Sequence, residues 1–199
     1  MSEYAPPIFQ PTRPGGVQFH RLTVDRYEEA IAAGIYPPQL NAELIGGFII
    51  EKMPIGNPHA YATRGLRDLL YSAAASHYVI GSQEPVVLSD TSRPEPDAWL
   101  ATPPKSRYAK RAPRPGDLTL VCEVSDSSLA FDRGDKLSMY AVAGVPEYWI
   151  VNLADRRVEV HVDPLPDGTY AAKRVFREGE TLPHGTLGEL DFGALFPQA

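Results

Sequence analysis

The chain has 199 residues, 43% of them hydrophobic, which suits one domain with a single substantial core. Its formal net charge of −6 argues against a protein that coats nucleic acid over its whole surface, because such binding rests on neutralising phosphates. No stretch approaches the roughly 20 consecutive apolar residues of a membrane span. We therefore expect a soluble protein with no membrane contact.

The proline-rich start of the chain predicts a flexible arm over residues 1–20, ahead of one domain over residues 21–199. The arm lacks the basic start and apolar stretch of a secretory signal. The single cysteine, Cys122, excludes an internal disulfide and a cysteine-based zinc framework. These features favour a cytoplasmic protein.

Patterning in the first half predicts two helices with strands between them. The segment Thr23–Ala33 begins with a capping-type threonine and ends before Gly34. Residues 57–77 show apolar side chains at helical spacing after Asn57-Pro58, with Asn57 as the expected N-cap. Between these helices, residues 42–53 predict a bent strand or hairpin around two glycines.

A buried strand followed by a helix is the main feature of the second half. Leu118–Val124 (LTLVCEV) is almost continuously apolar, which predicts a central strand covered on both faces. A helix is predicted from residue 129 or 132 to Ala143, before the stop at Gly144. Shorter strands are predicted over residues 78–81, 85–88, 97–101, 147–152, 157–162 and 170–176.

Two carboxylates and a lysine stand where charges are costly. Asp97 starts a predicted strand, and Glu123 lies near the end of the buried one, beside Ser125 on the same strand face. A buried carboxylate needs a partner, and two carboxylates on adjacent strands suit Mg²⁺. Lys136, on the following helix, could orient water or stabilise a phosphate. On the residues alone, a Glu123–Lys136 structural ion pair and a solvated Asp97 are equally good interpretations.

The loop between the Asp97 and Glu123 strands is basic in an otherwise acidic chain. Residues 105–114 (KSRYAKRAPR) hold five basic side chains and no acidic one. Such a loop beside a metal site could hold a phosphate backbone, and its tyrosine could stack on a base, although an ordinary solvated loop is an equal alternative. The candidate substrate-binding residues here are Lys105, Arg107, Tyr108, Lys110 and Arg111.

Four segments together resemble a known family. RPEPDAWLA, LVCEVSDSS, FDRGDKLSMY and AGVPEYWIVNL are similar, in order and spacing, to the Uma family of putative restriction endonucleases, within the PD-(D/E)XK nuclease superfamily. The likeness extends from about Leu22 to Phe196. It implies an α/β fold with a restriction-endonuclease-like mixed β-sheet, flanked by helices and extended by a C-terminal β-hairpin.

The resemblance also implies site residues. Asp97 and Glu123 correspond to the metal ligands, and Lys136 to a migrated catalytic lysine, since Ser125 stands at the usual lysine position. Glu43 is a third acidic candidate, although the family's further acids are replaced at Gly46 and Phe48. Two further residues, His59 of the NPHA segment and Ser125, are candidate substrate-binding residues.

The leading hypothesis is a Mg²⁺-dependent endonuclease that hydrolyses DNA, with Mn²⁺ as a substitute metal and Asp97, Glu123, Lys136 and Glu43 as catalytic residues. The alternative is a catalytically weak or inactive nuclease-fold module that binds nucleic acid or protein partners. By resemblance, a homodimer is expected.

Overall fold

The computed structural model describes residues 20–37 and 40–197 of the chain. Of the predicted flexible arm, only His20 lies among these residues. No helix in the described part of the chain is long and apolar enough to cross a membrane.

Two helices and a hairpin form the first part of the fold. Helix α1 (Val24–Ala32) begins after Thr23, as predicted. Strands β1 (Ala42–Ile45) and β2 (Phe48–Glu51) pair antiparallel, which confirms the predicted hairpin. Helix α2 (Asn57–Ala74) follows.

The start of α2 differs by one residue from the prediction. Gly56, with extended backbone angles, is the N-cap, and Asn57 is already helical. Pro58 then stands within the first helical turn, where its missing N–H would have had no partner in the helix.

The centre of the fold is a six-stranded mixed sheet with the order β3-β4-β5-β6-β7-β8. Only β5 and β6 run parallel; the other neighbours are antiparallel. The bounds are β3 (Val79–Gly81), β4 (Ala98–Ala101), β5 (Leu118–Ser125), β6 (Glu147–Asn152), β7 (Arg157–Pro164) and β8 (Tyr170–Arg177).

The crossover from β5 to β6 is helical, because parallel neighbours cannot be joined by a tight turn. It consists of α3 (Leu129–Phe131), a π-helical turn (Asp132–Lys136) and α4 (Leu137–Val142). The sequence predicted one continuous helix here, and the wider π-helical turn was not predicted.

The chain ends in a separate hairpin of β9 (Thr181–His184) and β10 (Gly188–Asp191), which confirms the predicted C-terminal hairpin. Short 3₁₀ turns lie at Lys105–Ala109, Pro115–Asp117 and Gly193–Leu195.

Both faces of the sheet are covered, as the apolar β5 sequence predicts. Helix α2 and the C-terminal hairpin pack on one face, where Leu66 and Leu190 belong to the same buried cluster as Trp149. The helical crossover and the β1–β2 hairpin pack on the other face, where Ile45 and Tyr140 belong to the same buried cluster. A mixed sheet with helices on both sides is confirmed.

The predicted strand at residues 85–88 is wrong. Its backbone N–H groups donate to two segments: Val86 and Leu88 to Pro94 and Ser92, and Val87 to Pro113. Pro94 and Pro113 have no N–H group and cannot return these bonds, so no regular ladder forms. The apolar side chains of Val86 and Leu88 reflect burial in a core cluster without strand pairing.

Gly81 pairs with Trp99 across β3 and β4, and a Cβ atom at residue 81 would overlap the Trp99 indole. Overpacking of this kind costs about 1–3 kcal/mol. We expect Gly81→Ala to lower the free energy of unfolding by that amount in urea denaturation. Gly116→Ala is the control, because a Cβ there meets no atom within 4 Å. Equal stability of the two variants would contradict the packing described.

Candidate active site

A buried lysine lies between two buried glutamates. The ammonium of Lys136, from the π-helical turn, is 2.9 Å from Glu123 Oε1 and 3.2 Å from Glu43 Oε1. Glu43 comes from β1 and Glu123 from β5, so the three side chains join three separate elements. The structure brings together three of the four predicted catalytic residues through direct contacts.

Asp97, the fourth, lies beside Glu123. Strands β4 and β5 are antiparallel with Ala98 opposite Cys122, which puts Asp97 next to the end of β5. Its Oδ2 accepts a hydrogen bond from the Val124 backbone N–H at 2.8 Å and lies 3.3 Å from His59 Nε2. His59 of α2 therefore contacts a predicted metal ligand.

Two further contacts support the two glutamates. The Tyr140 hydroxyl donates to Glu123 Oε1 at 2.8 Å, and the Glu95 backbone N–H donates to Glu43 Oε2 at 3.0 Å. Tyr140 stands four residues after Lys136, a spacing that places both on one helix face, so sequence could have indicated its position. Nothing in the sequence indicated the role of Glu95.

Ser125 and Asp132 form a second polar group. The Ser125 hydroxyl donates to Asp132 Oδ2 at 2.6 Å, and the Ser128 hydroxyl donates to the same oxygen at 2.6 Å. Ser125 is fully buried and is absent from the cavity wall, whereas Asp132 lines it. The prediction missed Asp132, although its position four residues before Lys136 was a signal.

These groups face a cavity of about 260 Å³. Seven carboxylates and two lysines line it, so its wall is strongly acidic. Apolar side chains also line it, among them Met53, Ile55 and Phe131. The charged lining consists of Glu43, Glu51, Glu95, Asp97, Glu123, Asp126, Asp132, Lys52 and Lys136.

Burial governs the protonation of the central pair. It raises the pKa of Glu123 to about 8, because desolvation outweighs the opposing charge of Lys136. Burial alone would lower the pKa of Lys136, but Glu123 and Glu43 raise it well above its usual value. Lys136 is therefore a fixed positive charge at neutral pH.

In the Asp97–His59 pair, the interactions that favour the ionised carboxylate outweigh the effect of burial, unlike at Glu123. Burial works against ionisation of Asp97, but the hydrogen bond and charge of His59, with the Val124 N–H, lower its pKa. The pKa of His59 is raised, because the bond to Asp97 outweighs the effect of its own burial. Asp97 is thus held as a carboxylate.

The carboxylates of the site suit a hard cation that takes few protein ligands. Both hydrogen bonds to Glu123 reach Oε1, so in the described structure Oε2 accepts none. Within residues 20–37 and 40–197, no group of three or more His, Cys, Asp or Glu side chains forms a ready metal cage. Mg²⁺ is commonly bound through one or two carboxylates with retained waters, so Asp97 and Glu123 fit this ion.

The basic loop does not lie beside the carboxylates, so that placement was wrong. It joins the end of β4 to the start of β5, whereas Asp97 precedes β4 and Glu123 lies near the end of β5. The predicted substrate-binding residues of this loop are absent from the cavity wall; they are Lys105, Arg107, Tyr108, Lys110 and Arg111.

Contacts within the loop explain its basic residues in part. Arg107 and Arg111 contact Asp117 at 3.1 and 2.6 Å. The Tyr108 hydroxyl donates to the Thr102 carbonyl at 2.7 Å, and its ring packs edge-on against Trp99. Binding of substrate by this loop stays a prediction that its position does not support.

Replacing Lys136 tests its role as the counter-charge. In Lys136→Met, the buried Glu43 carboxylate would lose its cation, which costs about 3–5 kcal/mol, whereas Glu123, with its pKa of about 8, can hold a proton. We expect the free energy of unfolding at pH 7, from urea denaturation, to fall by that amount. Lys52→Met is the matched control. Its partly exposed ammonium lies 4.0 Å from Glu95 Oε2 and donates to the Glu95 carbonyl at 3.0 Å, so its loss should cost no more than about 1 kcal/mol. Equal losses would contradict this role.

The lowered pKa of Asp117 implies that the stability of the fold depends on pH. The hydrogen bond of Asp117 with Arg111 lowers this pKa to about 2, below the value of about 3.9 expected in the unfolded chain. A lowered pKa stabilises the fold above the unfolded value, and this contribution is lost as the pH falls from about 4 to 2.

We therefore expect Asp117→Asn to be less stable than the wild type by about 1–2 kcal/mol at pH 7 and nearly equal at pH 2, by urea unfolding at each pH. Asp90→Asn is the control, because this exposed carboxylate has no ion pair in the described part of the chain. A difference that persists at pH 2 would rule out the ionic explanation.

Comparison with known proteins places this geometry in a family. The chain matches the model of the Uma2 family, described as putative restriction endonuclease, over residues 24–193. The crystal structure of a putative nuclease from Anabaena variabilis is similar in fold, with a TM-score of 0.64 and 14% identity over 88% of this chain and 97% of that chain. No curated protein matches the chain. Since the family model spans most of its length, the chain belongs to the Uma2 family of putative restriction endonucleases.

Proposed function

We propose that the chain is a Mg²⁺-dependent endonuclease that hydrolyses phosphodiester bonds in DNA. The observation that carries this proposal is the Lys136 ammonium held by Glu43 and Glu123 at the wall of a cavity that also contains Asp97. Membership of the family supports nuclease chemistry. The metal and the DNA substrate are part of the proposal.

Asp97 and Glu123 would hold the metal ion. When bound, Mg²⁺ would polarise the phosphodiester and lower the pKa of a bound water, and Mn²⁺ would serve as a substitute. Protein contacts orient both carboxylates: the Val124 N–H and His59 contact Asp97, and Tyr140 and Lys136 bond to Glu123. Such outer contacts fix the direction of a ligand oxygen.

Lys136 would act through its charge. Its raised pKa keeps it protonated, so it cannot accept the proton of an attacking water at neutral pH. An ammonium at the cavity wall can instead donate to a phosphate oxygen and stabilise negative charge that develops in the transition state. Because two glutamates already fix its position, little reorganisation would be needed.

Tyr140 and His59 would be positioning residues. The Tyr140 hydroxyl holds Glu123 Oε1, and His59 holds Asp97 Oδ2 while its Nδ1 lies 3.3 Å from the Thr63 hydroxyl. Neither would need to touch the scissile bond, since both keep a metal-binding carboxylate in place.

Cleavage assays test the proposal. Purified protein with Mg²⁺ or Mn²⁺ should cut single-stranded, double-stranded or branched DNA, and EDTA should abolish cutting. Asp97→Asn should lower the rate by about a hundredfold or more, because it removes a charged metal ligand. Asp90→Asn should leave the rate unchanged, and circular dichroism should show that both variants fold. An RNA oligonucleotide of the same sequence should be a poorer substrate.

Metal binding distinguishes the enzyme from a non-catalytic module. A ligand that binds only the folded state raises its thermal stability, so Mg²⁺ or Mn²⁺ should raise the melting temperature of the wild type but not of Glu123→Gln. If neither ion stabilises the wild type and no DNA is cut, the alternative of an inactive nuclease-fold module is favoured.

A further inference from the structure

A second, shallower cavity of about 140 Å³ adjoins the candidate active site. Arg64 and Arg67 of α2 line it, and Ile55 and Gln83 belong to the walls of both cavities. The two cavities are therefore neighbours, and their charges differ: the active-site cavity is acidic, and the second one is lined by two guanidinium groups.

We propose that this arginine pocket, defined by Arg64, Arg67, Ser82 and Gln83, binds phosphates of the substrate strand that lie a few nucleotides from the one that is cleaved. The inference rests on the proposed nuclease function, because it names where the rest of the substrate lies. Its ligand class is a phosphodiester of a polynucleotide.

The charge of the active-site cavity makes such a pocket necessary. With seven carboxylates against two lysines, the cavity repels a polyanion outside the position of a bound cation. Phosphates flanking the scissile one therefore need cations of their own. Guanidinium groups suit this task, because their planar donors match phosphate oxygens.

Both arginines are available for an anionic ligand. Arg64 is exposed and has no ion pair or hydrogen bond through its side chain in the described structure. Among the described residues, Arg67 forms an ion pair only with the neighbouring Asp68, at 3.1 Å, with both side chains substantially exposed. Exposed pairs of this kind contribute at most about 1 kcal/mol, so a phosphate can replace Asp68.

The pocket is held in a fixed position relative to Asp97. The Ser82 hydroxyl donates to the Asp97 carbonyl at 2.9 Å, and the Gln83 backbone N–H donates to the carbonyls of Pro96 and Asp97 at 3.1 and 3.2 Å. Ser82 and Gln83 of the arginine pocket are thus hydrogen-bonded to the backbone of Asp97, a predicted metal ligand.

Helix α2 sets the spacing between the two sites. His59, in its first turns, contacts Asp97, and Arg64 and Arg67 follow five and eight residues later on the same helix. At 1.5 Å per residue they lie roughly 8 and 12 Å farther along the axis. A DNA strand advances about 3.4 Å per nucleotide, so these distances correspond to phosphates a few nucleotides away.

The experiment compares two double variants that lose the same charge. Arg64→Gln/Arg67→Gln empties the pocket, and Arg26→Gln/Arg174→Gln removes two exposed arginines that line neither cavity. Binding of a fluorescein-labelled single-stranded oligonucleotide is followed by anisotropy over a series of salt concentrations, with Ca²⁺ in place of Mg²⁺. Hydrolysis of bis(p-nitrophenyl) phosphate, a single diester, is measured with Mn²⁺.

We expect the pocket variant to bind the oligonucleotide about tenfold or more weakly, and the slope of log K against log salt to become shallower by about 1.4, the value for two lost phosphate contacts. The control variant should match the wild type. Hydrolysis of the single diester should be unchanged in both variants, because it has no neighbouring phosphate to occupy the pocket.

Two results would overturn the inference: equal binding by the two double variants, or no binding by the wild type. A failure of the proposed function looks different. If the wild type binds the oligonucleotide but does not hydrolyse bis(p-nitrophenyl) phosphate, and the pocket variant loses the binding, the phosphate pocket stands and the chain is a non-catalytic nucleic-acid binder.

Discussion

The fold around the candidate site depends on one buried cation. The Lys136 ammonium contacts Glu43 and Glu123, which come from elements far apart in sequence. Without it, the buried Glu43 carboxylate would have no compensating charge, at a cost of several kcal/mol. The contact between Lys136 and Glu43 also links the helical crossover to the β1–β2 hairpin on one face of the sheet. Stability and the candidate chemistry therefore depend on the same three side chains.

Much of this arrangement could be predicted, because it follows from local patterns. An apolar run of strand length predicted β5, and a glutamate near its end had to find a partner. The helical pattern before Gly144 placed Lys136 on the crossover that leaves β5, so a contact between them was foreseeable. The roles of Asp97 and Glu43 were predicted from the family resemblance. Their positions, at the start of a short strand and in a hairpin, do not reveal which residues they contact.

The remainder depends on tertiary contacts that no local pattern encodes. The stretch at Val86 and Leu88 has strand-like composition but three different backbone partners. The π-helical turn at Asp132–Lys136 buries three charged residues within one turn, a distortion set by what they contact. The basic loop was misplaced for a simpler reason: the antiparallel pairing of β4 and β5 sends it to the end of the strands away from Asp97.

The distribution of charge separates two tasks that a nuclease must combine. Carboxylates that can hold a cation must be close together, and this same concentration of negative charge opposes a polyanionic substrate. A chain with a net charge of −6 cannot resolve this conflict by overall attraction. A local solution is required, in which cations lie just outside the acidic cavity. Helix α2 meets this condition because its first turn contacts Asp97 and its next turns present Arg64 and Arg67. On the proposed function, one rigid element would thus hold Asp97 as a metal ligand and a flanking phosphate in register, without lowering the negative charge of the cavity.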